Sequence, residues 1–324
     1  MNLIDLIERI YSDFRYRYNN PLLKKLKYYS AMRFFIRKVS NIILPLYFYF
    51  TRGNEMYSIG RSFDKSPRII VSFTSFPRRI DKIWLVVETI LRQSIKPDVL
   101  ILWLSKEQFP TIDSLPNSLL KMRSRGLIIR FVDSDIRSHK KYYYVFKEYQ
   151  KDIIITLDDD IYYPSNVIKT LMDAHEREPN VIFGRYGYTI RWKDLNTLYP
   201  YACWEKASKI LSPSFLVFFG SGGGTLFPPG SLYRDVGNME LSQRLCPHAD
   251  DVFLNVMARL KKTKIGIVLN NFVLLTIHIP GNTVLAELNL NNHANDTQIE
   301  DIRAYYKMML NVDVFQEDYG KEVS

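Results

Sequence analysis

The hydrophobic pattern of the chain changes in character near Pro67. Before it, residues 1–66 combine apolar and aromatic positions at helical spacing with many basic side chains, and Asn20-Pro21 is a typical helix start. After it, short and fully apolar runs alternate with amphipathic stretches of helical period. The sequence therefore predicts a helical N-terminal extension followed by a region of alternating strands and helices.

The apolar runs after Pro67 are short enough to be strands, and the stretches between them place apolar residues on one helical face. The predicted strands are 68–73, 98–104, 127–132 and 153–157, with helices at 82–93 and 139–149. Strands that are apolar throughout are typical of a parallel sheet covered on both faces. The predicted fold class is therefore α/β, with a mostly parallel, Rossmann-like sheet flanked by helices. Such sheets bind ligands at the carboxyl ends of their strands.

Three consecutive carboxylates, Asp158-Asp159-Asp160, directly follow the fourth predicted strand. Their mutual repulsion at the end of a buried strand is unfavourable without a cation. A divalent ion with oxygen ligands would neutralise them and could bridge to a diphosphate. The alternative is a solvated acidic turn that caps the following helix. The apolar runs on both sides of the triplet favour the metal site.

The stretch 153–164 (IIITLDDDIYYP) resembles the DXD motif of GT-A glycosyltransferases, at the place in the strand and helix order where that fold carries it. Residues 68–79 (RIIVSFTSFPRR) resemble the first strand and donor loop of the same superfamily. The whole of 68–280 is similar to uncharacterised bacterial glycosyltransferases of surface-polysaccharide clusters. This resemblance implies a GT-A-like fold, in which a nucleotide-binding half precedes an acceptor-binding half. It also implies sugar transfer from a nucleotide-diphosphate donor with a divalent metal, Mn²⁺ or Mg²⁺.

The resemblance also assigns individual residues. It implies that Asp158 faces the donor and the metal, that Asp160 is the direct metal ligand, and that Asp159 holds the variable middle position on the donor side. The residues that it places near the nucleotide base are Thr74, Ser75 and Phe76. A lysine at the start of the helix before the triplet, Lys140 or Lys141, would add positive charge near the phosphates, unless it is simply solvated.

A glycine-rich stretch, 220–225 (GSGGGT), follows an apolar run at 215–219. A dinucleotide fingerprint or a P-loop would open a helix, but this stretch runs into two consecutive prolines, which exclude a helix interior. The glycines therefore allow close approach of the backbone to a ligand or another chain, or they form a tight loop between strands. In GT-A enzymes a similar small-residue loop lies beneath the donor sugar, which implies Gly222 and Gly223 as donor-binding positions.

Residues 246–260 place apolar side chains on one face of a predicted helix that carries Asp250 and Asp251 at its start. The helix dipole favours negative charge there, and one carboxylate would be enough to cap the helix. In inverting GT-A enzymes an acidic pair opens a helix at this point, and its second member is the catalytic base. The pair here is Asp-Asp where relatives often have Glu-Asp. By that resemblance Asp251 is the base, and Asp250 positions the acceptor or the loop.

His278 follows an apolar run and precedes Pro280-Gly281. In several GT-A enzymes a late histidine supplies a third metal ligand, which here would join Asp158 and Asp160. Mn²⁺ accepts such a mixed oxygen and imidazole shell. A hydrogen-bonded histidine at the end of a strand is the alternative.

The charge of the chain is strongly and unevenly positive. The formal net charge is +10, and residues 1–40 alone contribute +6. This suggests an acidic partner, here an anionic membrane surface or a phosphorylated substrate rather than a nucleic acid. The two cysteines show no metal or disulfide spacing, which predicts a reducing compartment. The expected location is cytoplasmic, with a possible peripheral position on the inner face of the cell membrane.

The apolar, aromatic run 42–50 follows this basic segment. Pro45 interrupts it, and it has about half of the ~20 residues that a membrane-spanning helix needs. The extension either lies on an anionic membrane, with the rings of Tyr47, Phe48 and Phe50 buried there, or it packs against the main domain.

Together these features define the expected organisation and activity. The expected segments are the extension 1–66, a catalytic domain 67–285 with halves 67–164 and 165–285, and a C-terminal helical segment 286–324. The expected reaction is a single, inverting displacement that moves a sugar to a glycan or lipid-linked glycan acceptor in bacterial surface-polysaccharide synthesis (capsule, lipopolysaccharide or exopolysaccharide). The alternatives are an Asp-rich, metal-dependent phosphatase or nucleotidyltransferase, and a non-catalytic, membrane-bound adaptor derived from a transferase.

Overall fold

A computed structural model describes residues 2–51, 67–207, 212–269, 273–279 and 294–316. The helices are α1 (Leu3–Ser12), α2 (Pro21–Lys25), α3 (Tyr28–Thr51), α4 (Ile83–Leu91), α5 (Asn117–Leu120), α6 (Lys140–Glu148), α7 (Val167–Arg177), α8 (Met239–Leu245), α9 (Asp250–Leu260) and α10 (Ala294–Leu310). The strands are β1 (Ile69–Thr74), β2 (Val99–Ser105), β3 (Leu127–Val132), β4 (Ile153–Thr156), β5 (Ile182–Gly184), β6 (Gly187–Thr189), β7 (Glu205–Lys206), β8 (Val217–Phe219), β9 (Thr225–Phe227) and β10 (Ile265–Ile267). Parts of the expected segments, among them 52–66, 280–293 and 317–324, lie outside the described residues.

A seven-stranded sheet with the order β10-β5-β9-β4-β1-β2-β3 forms the centre of the molecule. Its neighbouring strands pair in parallel, except that β9 runs antiparallel to both β4 and β5. Helices α4, α5 and α6 join β1 to β4 in succession, as the alternation of apolar and amphipathic stretches indicates. The predicted fold class is therefore confirmed: a mostly parallel sheet flanked by helices, with a helical N-terminal segment.

Alternate side chains of the central strands enter two hydrophobic cores, one on each face of the sheet. In β1, Ile69 and Val71 belong to the first core and Ile70 to the second. Residues of α1, α3, α4, α5 and α7 complete the first core, and residues of α6, α9 and α10 complete the second. Because β1 and β4 are buried on both faces, the loops at their carboxyl ends are where polar, functional side chains are expected.

The strand β9 was not predicted from the hydrophobic pattern. A run of three residues followed by two prolines is too short to be read as a strand from sequence alone. β9 pairs with β4, from the first half of the expected catalytic domain, and with β5, from the second half. One continuous sheet therefore runs through both halves. The position of β9 beside β4 also brings the preceding glycine-rich loop to the end of β4.

A second, smaller sheet is antiparallel and has the order β7-β6-β8. The strand β6 lies beside β8, with Gly187 opposite Phe219 and Tyr188 opposite Phe218. Because β8 leads directly into the glycine-rich loop, this pairing places the tyrosine-rich start of β6 next to that loop.

The N-terminal helices differ in length from the pattern that predicted them. α2 has five residues, and Lys27 follows it with a left-handed backbone (φ 55°) that separates it from α3. α3 then continues for 24 residues with Pro45 inside it, so the proline does not break the apolar run 42–50. A proline inside a helix costs a backbone hydrogen bond, and here the burial of neighbouring side chains offsets that cost.

Within the described residues, no helix is both long and apolar enough to cross a lipid bilayer.

The helices α1 and α3 pack against the α/β domain. Ile4, Leu44 and Phe48 are fully buried in the first core. The Asp5 carboxylate accepts hydrogen bonds from the backbone N–H and the hydroxyl of Ser165, at 2.7 and 2.6 Å. Packing on the domain, one of the two alternatives for the extension, is therefore observed for these helices. The prediction that the rings of the run enter a membrane is wrong for Phe48, because its ring lies in the core.

Candidate functional site

Two loops that the sequence singled out lie side by side at the carboxyl edge of the sheet. β1 and β4 are adjacent and parallel, with Ser72 opposite Thr156, so the segments that follow these strands emerge together. The Ser75 hydroxyl donates a hydrogen bond to the Asp159 carboxylate at 2.6 Å. The loop after β1 and the acidic triplet are therefore directly joined.

Arg79, in the same loop after β1, is a buried cation against the acidic triplet. Its guanidinium forms ion pairs with Asp159 and, at 3.0 Å, with Asp160. Burial alone would lower the pKa of Arg79, but these carboxylates raise it, so the charge is retained. The guanidinium also lies 5.2 Å from the centre of the Phe76 ring. Arg79 was not identified from the sequence, although its place in an Arg-Arg pair after the donor loop was an available signal.

Lys141 joins the acidic triplet to the acidic pair. Its ammonium lies 3.0 Å from Asp158 Oδ1 and 2.9 Å from Asp250 Oδ2, in a buried position. Burial alone would lower the pKa of Lys141, but the two carboxylates raise it. The neighbouring Lys140 pairs with Asp135 instead. Of the two lysines that the sequence left open, the structure therefore directs Lys141 toward the triplet.

The acidic pair lies at the start of α9, as the sequence predicted, and its members have different surroundings. Asp250 is buried and accepts a hydrogen bond from the Ser221 hydroxyl at 2.5 Å, in addition to the contact with Lys141. Asp251 is half-buried, and its carboxylate accepts from the backbone N–H of Val252 at 2.9 Å. It forms no ion pair with any described residue. Asp250 is thus held in place, whereas Asp251 keeps a carboxylate oxygen available.

These surroundings shift the pKa values of Asp250 and Asp251 in opposite directions. For Asp250, burial would raise the pKa, but the positive charge of Lys141 and the hydrogen bond from Ser221 lower it to about 2. For Asp251, burial and the negative charge of Asp250 raise the pKa to about 7. Two neighbouring carboxylates with separated pKa values are typical of sites that do acid–base chemistry. Asp250 is the fixed negative charge, and Asp251 is the group that can exchange a proton near neutral pH.

The glycine-rich loop lies against the acidic triplet. The Gly222 carbonyl accepts hydrogen bonds from the Asp158 backbone N–H at 2.8 Å and from the Tyr163 hydroxyl at 2.6 Å. A Cβ atom at Gly222 would lie 1.8 Å from Asp158 Oδ2. At Gly222 the loop is therefore in close contact with the triplet of the same chain.

The remaining donor-loop candidates lie around this cluster. The Thr74 hydroxyl donates to the Trp103 carbonyl at 2.8 Å, which fixes the end of β1 to β2. The Gly223 carbonyl accepts from the buried Arg185 guanidinium at 3.3 Å. Thr74 and Phe76 are half-buried, so both remain accessible to a ligand at this edge.

His278 contacts residues other than the carboxylates of the triplet and the pair. It is exposed, its backbone N–H donates to Asn41 Oδ1 at 2.7 Å, and its side chain lines a cavity beside Lys38 of α3. Among the described residues, no three His, Cys, Asp or Glu side chains are arranged to hold a metal ion. The structure therefore does not group His278 with Asp158 and Asp160.

The carboxylates themselves still fit a divalent cation. Four of the five carboxylates of the triplet and the pair share two cations, Arg79 and Lys141, and the fifth, Asp251, has no ion pair with a described residue. Burial raises the pKa of Asp160 to about 7, with further contributions from its acidic neighbours. The side chains of Asp158 and Asp160 are 38% and 19% exposed, so ligands can reach them. Two carboxylates combined with phosphate oxygens and water are a common ligand set for Mg²⁺.

Comparison with known proteins gives similar folds only. No protein-family model matches the chain, and no curated protein matches it. Among solved structures, it is similar to a mannosyltransferase, PcManGT from Pyrobaculum calidifontis, in complex with GDP-Man and Mn²⁺. That likeness has a TM-score of 0.44 and 12% identity, over 81% of this chain and 72% of that one.

Two further solved structures are similar to the chain at a lower level. One is a CMP:2-keto-3-deoxy-manno-octonic acid synthetase complexed with CTP, with a TM-score of 0.38 and 13% identity over 72% of this chain and 99% of that one. The other is a 4-diphosphocytidyl-2C-methyl-D-erythritol synthase, with a TM-score of 0.38 and 10% identity over 70% of this chain and 100% of that one. With every TM-score below 0.5, these likenesses carry no argument about function, which must come from the side chains of this chain.

Proposed function

We propose that the chain is a glycosyltransferase that moves a sugar from a nucleotide-diphosphate donor to a glycan or lipid-linked glycan acceptor. One observation carries this proposal: Lys141 joins Asp158, after β4, to Asp250, at the start of α9. The triplet and the pair therefore belong to one cluster at the edge where α/β sheets bind ligands. Such a cluster is suited to hold a diphosphate at one end and to deprotonate a hydroxyl at the other.

In the proposed reaction, the acceptor hydroxyl attacks the anomeric carbon of the donor sugar. Asp251 takes the hydroxyl proton as general base. A bond forms between the acceptor oxygen and the anomeric carbon, and the bond from that carbon to the diphosphate oxygen breaks, leaving its electron pair on the nucleoside diphosphate. A single displacement of this kind inverts the anomeric configuration. Asp250 is a positioning residue, since its fixed charge raises the pKa of Asp251.

Donor binding is assigned to the loop after β1 and to the glycine-rich loop, which flank the triplet. The residues proposed to contact the donor are Thr74, Ser75, Phe76, Asp158, Gly222 and Gly223. Asp158 and Asp160 would hold a divalent cation, Mn²⁺ or Mg²⁺, which when bound neutralises charge on the departing diphosphate. Asp159, which the resemblance places on the donor side, also anchors the triplet through Ser75 and Arg79.

An anionic membrane surface is proposed as a further partner. The outer face of α3 is the row of exposed side chains that does not enter the core: Phe35, Ile42, Leu46, Tyr49 and Phe50. Lys38 is exposed on the same helix, and residues 1–40 carry a net charge of +6. An apolar row beside basic side chains is the pattern of a helix that lies on anionic lipid. Such a location suits a lipid-linked acceptor and the surface-polysaccharide synthesis that the family resemblance implies.

A panel of nucleotide sugars tests the proposed activity. Purified protein is incubated with each donor and Mn²⁺, and the released nucleoside diphosphate is measured, with and without excess chelator. The proposal expects release from at least one donor, strong inhibition by the chelator and a loss of about 100-fold or more in Asp160→Asn. Full release of nucleoside diphosphate in the presence of the chelator, or no release from any donor, would contradict the proposal.

The same assay separates the nucleotidyltransferase and phosphatase alternatives. A nucleotidyltransferase would form a nucleotide sugar and release pyrophosphate, and a phosphatase would release inorganic phosphate. A glycosyltransferase releases neither from an intact nucleotide sugar, so the identity of the phosphate product decides among the three classes.

A further inference from the structure

A cavity separate from the one beside His278 lies next to the proposed site, between the N-terminal segment and the small antiparallel sheet. Its volume is about 490 Å³, within the range of ~300–1,000 Å³ typical of small-molecule sites. Both walls supply aromatic and basic side chains. The residues that give it this character are Tyr11, Arg15 and Arg37 from the N-terminal segment, and Tyr186, Tyr188 and Lys206 from the side of the small sheet.

The lining of this cavity is electropositive. It contains Arg15, Arg37 and Lys206, and none of the residues that line it is Asp or Glu. Both Arg15 and Lys206 line the cavity, and burial together with the nearby charge of Arg15 lowers the pKa of Lys206. An anionic ligand would relieve that repulsion. The tyrosine rings of the lining offer flat apolar faces, against which a sugar ring can lie.

The tyrosines connect this cavity to the proposed base. Besides burial, the negative charge of Asp251 raises the pKa of both Tyr186 and Tyr188. The Tyr186 ring lies against Gly220, where a Cβ atom would be 2.2 Å from its Cζ. A wall of the cavity is therefore in contact with the glycine-rich loop and within electrostatic reach of Asp251.

We propose that this cavity binds the acceptor, and that the acceptor carries a phosphate or carboxylate group beside the sugar that is glycosylated. This inference rests on the proposed glycosyltransferase function. In this arrangement Arg15, Arg37 and Lys206 hold the anionic group, and the tyrosines hold the sugar with its hydroxyl toward Asp251. The N-terminal segment then serves in substrate binding, because it supplies one wall of the acceptor site.

Calorimetric titration tests the inference without knowledge of the natural acceptor. The probes are N-acetylglucosamine 1-phosphate, glucuronic acid and neutral N-acetylglucosamine. At least one anionic probe is expected to bind about tenfold or more tightly than the neutral sugar, since hydrogen bonds to charged groups are the stronger ones. Preference for the phosphate or for the carboxylate probe identifies the anionic group. Equal binding of all three probes would overturn the inference.

Matched variants locate the bound probe. Arg15→Gln and Arg37→Gln are each expected to weaken the binding of the anionic probe about tenfold. Arg17→Gln and Lys38→Gln remove a charge from the same segments, outside the residues that line the cavity, and should leave the affinity unchanged. Asp160→Asn serves as a marker for binding at the donor end. A larger effect of Asp160→Asn than of Arg15→Gln would place the probe with the donor and overturn the inference.

Failure of this inference differs from failure of the proposed function. Wild-type protein that releases nucleoside diphosphate from a donor, while Arg15→Gln and Arg37→Gln bind the probe as wild type does, refutes the acceptor cavity alone. Wild-type protein that acts on no nucleotide sugar refutes the proposed function, whatever the cavity binds.

Discussion

At the residue scale, the candidate site is a set of buried and half-buried carboxylates organised by two cations. Arg79 fixes Asp159 and Asp160 to the loop after β1, and Lys141 fixes Asp158 to Asp250. Asp251 lies next to this network without an ion pair to a described residue. This division separates the four carboxylates that are held by cations from Asp251, which is proposed to take the acceptor proton.

The proposed role of Asp251 sets the pH dependence of the reaction. Its pKa is raised to about 7, so the carboxylate is protonated, and inactive as a base, below that pH. Release of nucleoside diphosphate is therefore expected to rise about tenfold per pH unit below pH 7 and to level off above it. The rate is measured at saturating donor across that range.

Asp250→Asn provides the check on that assignment. Removal of the neighbouring negative charge should lower the pKa of Asp251, so the midpoint of the profile should move to lower pH. A midpoint that stays in place would mean that the titrating group is not Asp251.

Gly222 tests the contact between the glycine-rich loop and the triplet. A side chain there would overlap the Asp158 carboxylate, so Gly222→Ala should cost about 1–3 kcal/mol of stability and weaken donor binding. Gly237→Ala is the matched control, because a Cβ atom at Gly237 meets no atom within 4 Å. Thermal melting and donor titration measure both variants. Equal behaviour of the two would contradict the described packing.

The sequence located the carboxylates of the site but not the cations that join them. Asp158 and Asp251 could be predicted because each belongs to a run of consecutive carboxylates directly beside a predicted apolar strand or amphipathic helix. The partnership of Lys141 with Asp250 depends on how α6 and α9 come together on one face of the sheet, and no spacing along the chain encodes it. Arg79 was missed although it belongs to an Arg-Arg pair after the predicted donor loop, and its ion pairs with the triplet follow from the adjacency of β1 and β4.

At the element scale, the sequence predicted the β/α alternation well and the irregular elements poorly. Among the first four strands, 127–132 was predicted with its observed bounds. β1 and β2 each begin and end one residue later than predicted, and β4 ends one residue earlier. β9 was not predicted, because three residues are too few to show a hydrophobic period. The length of α3 was underestimated, because a proline normally marks the end of a helix. Tertiary packing decides both cases.

The outer face of α3 gives a prediction for this helix. Wild-type protein should float with anionic phosphatidylglycerol vesicles at low salt, bind them more weakly at high salt without full release, and ignore neutral phosphatidylcholine vesicles. The double variant Leu46→Ser, Phe50→Ser should lose the salt-resistant part, because 54% and 79% of these side chains are exposed for contact with lipid.

Two exposed methionines on α10 provide the matched control. Met308 and Met309 are 76% and 56% exposed, so Met308→Ser, Met309→Ser removes a similar exposed apolar surface elsewhere. Vesicle binding should be unchanged in that variant. Equal losses in the two double variants, or wild-type protein that ignores anionic vesicles at low salt, would contradict the lipid-facing role of α3.

At the scale of the whole molecule, the N-terminal segment is integrated with the α/β domain. Besides the buried residues of α1 and α3, Glu8 lies 3.4 Å from the buried Arg185, which also contacts the glycine-rich loop. The segment therefore contributes both to the first core and to the surroundings of the glycine-rich loop.

Deletion of residues 1–50 should therefore destabilise the protein. The loss of Ile4, Leu44 and Phe48 from the first core, at about 2–5 kcal/mol for each large side chain, is comparable to the stability of a whole domain. The truncated protein should be insoluble or should melt far below wild type. As a control, Leu22→Ser, Leu26→Ser changes exposed residues of the same segment and should melt as wild type does. A truncation with the wild-type melting temperature would contradict the packing.

The central claim is that Asp251 removes the acceptor proton while the triplet holds the donor. The most direct test compares donor binding with release of nucleoside diphosphate in the wild type and in Asp251→Asn. The predicted result is unchanged donor affinity with release reduced by about 100-fold or more, and inversion of the anomeric configuration in the wild-type product. Release at the wild-type rate from Asp251→Asn, or a product that retains the donor's anomeric configuration, would contradict the claim.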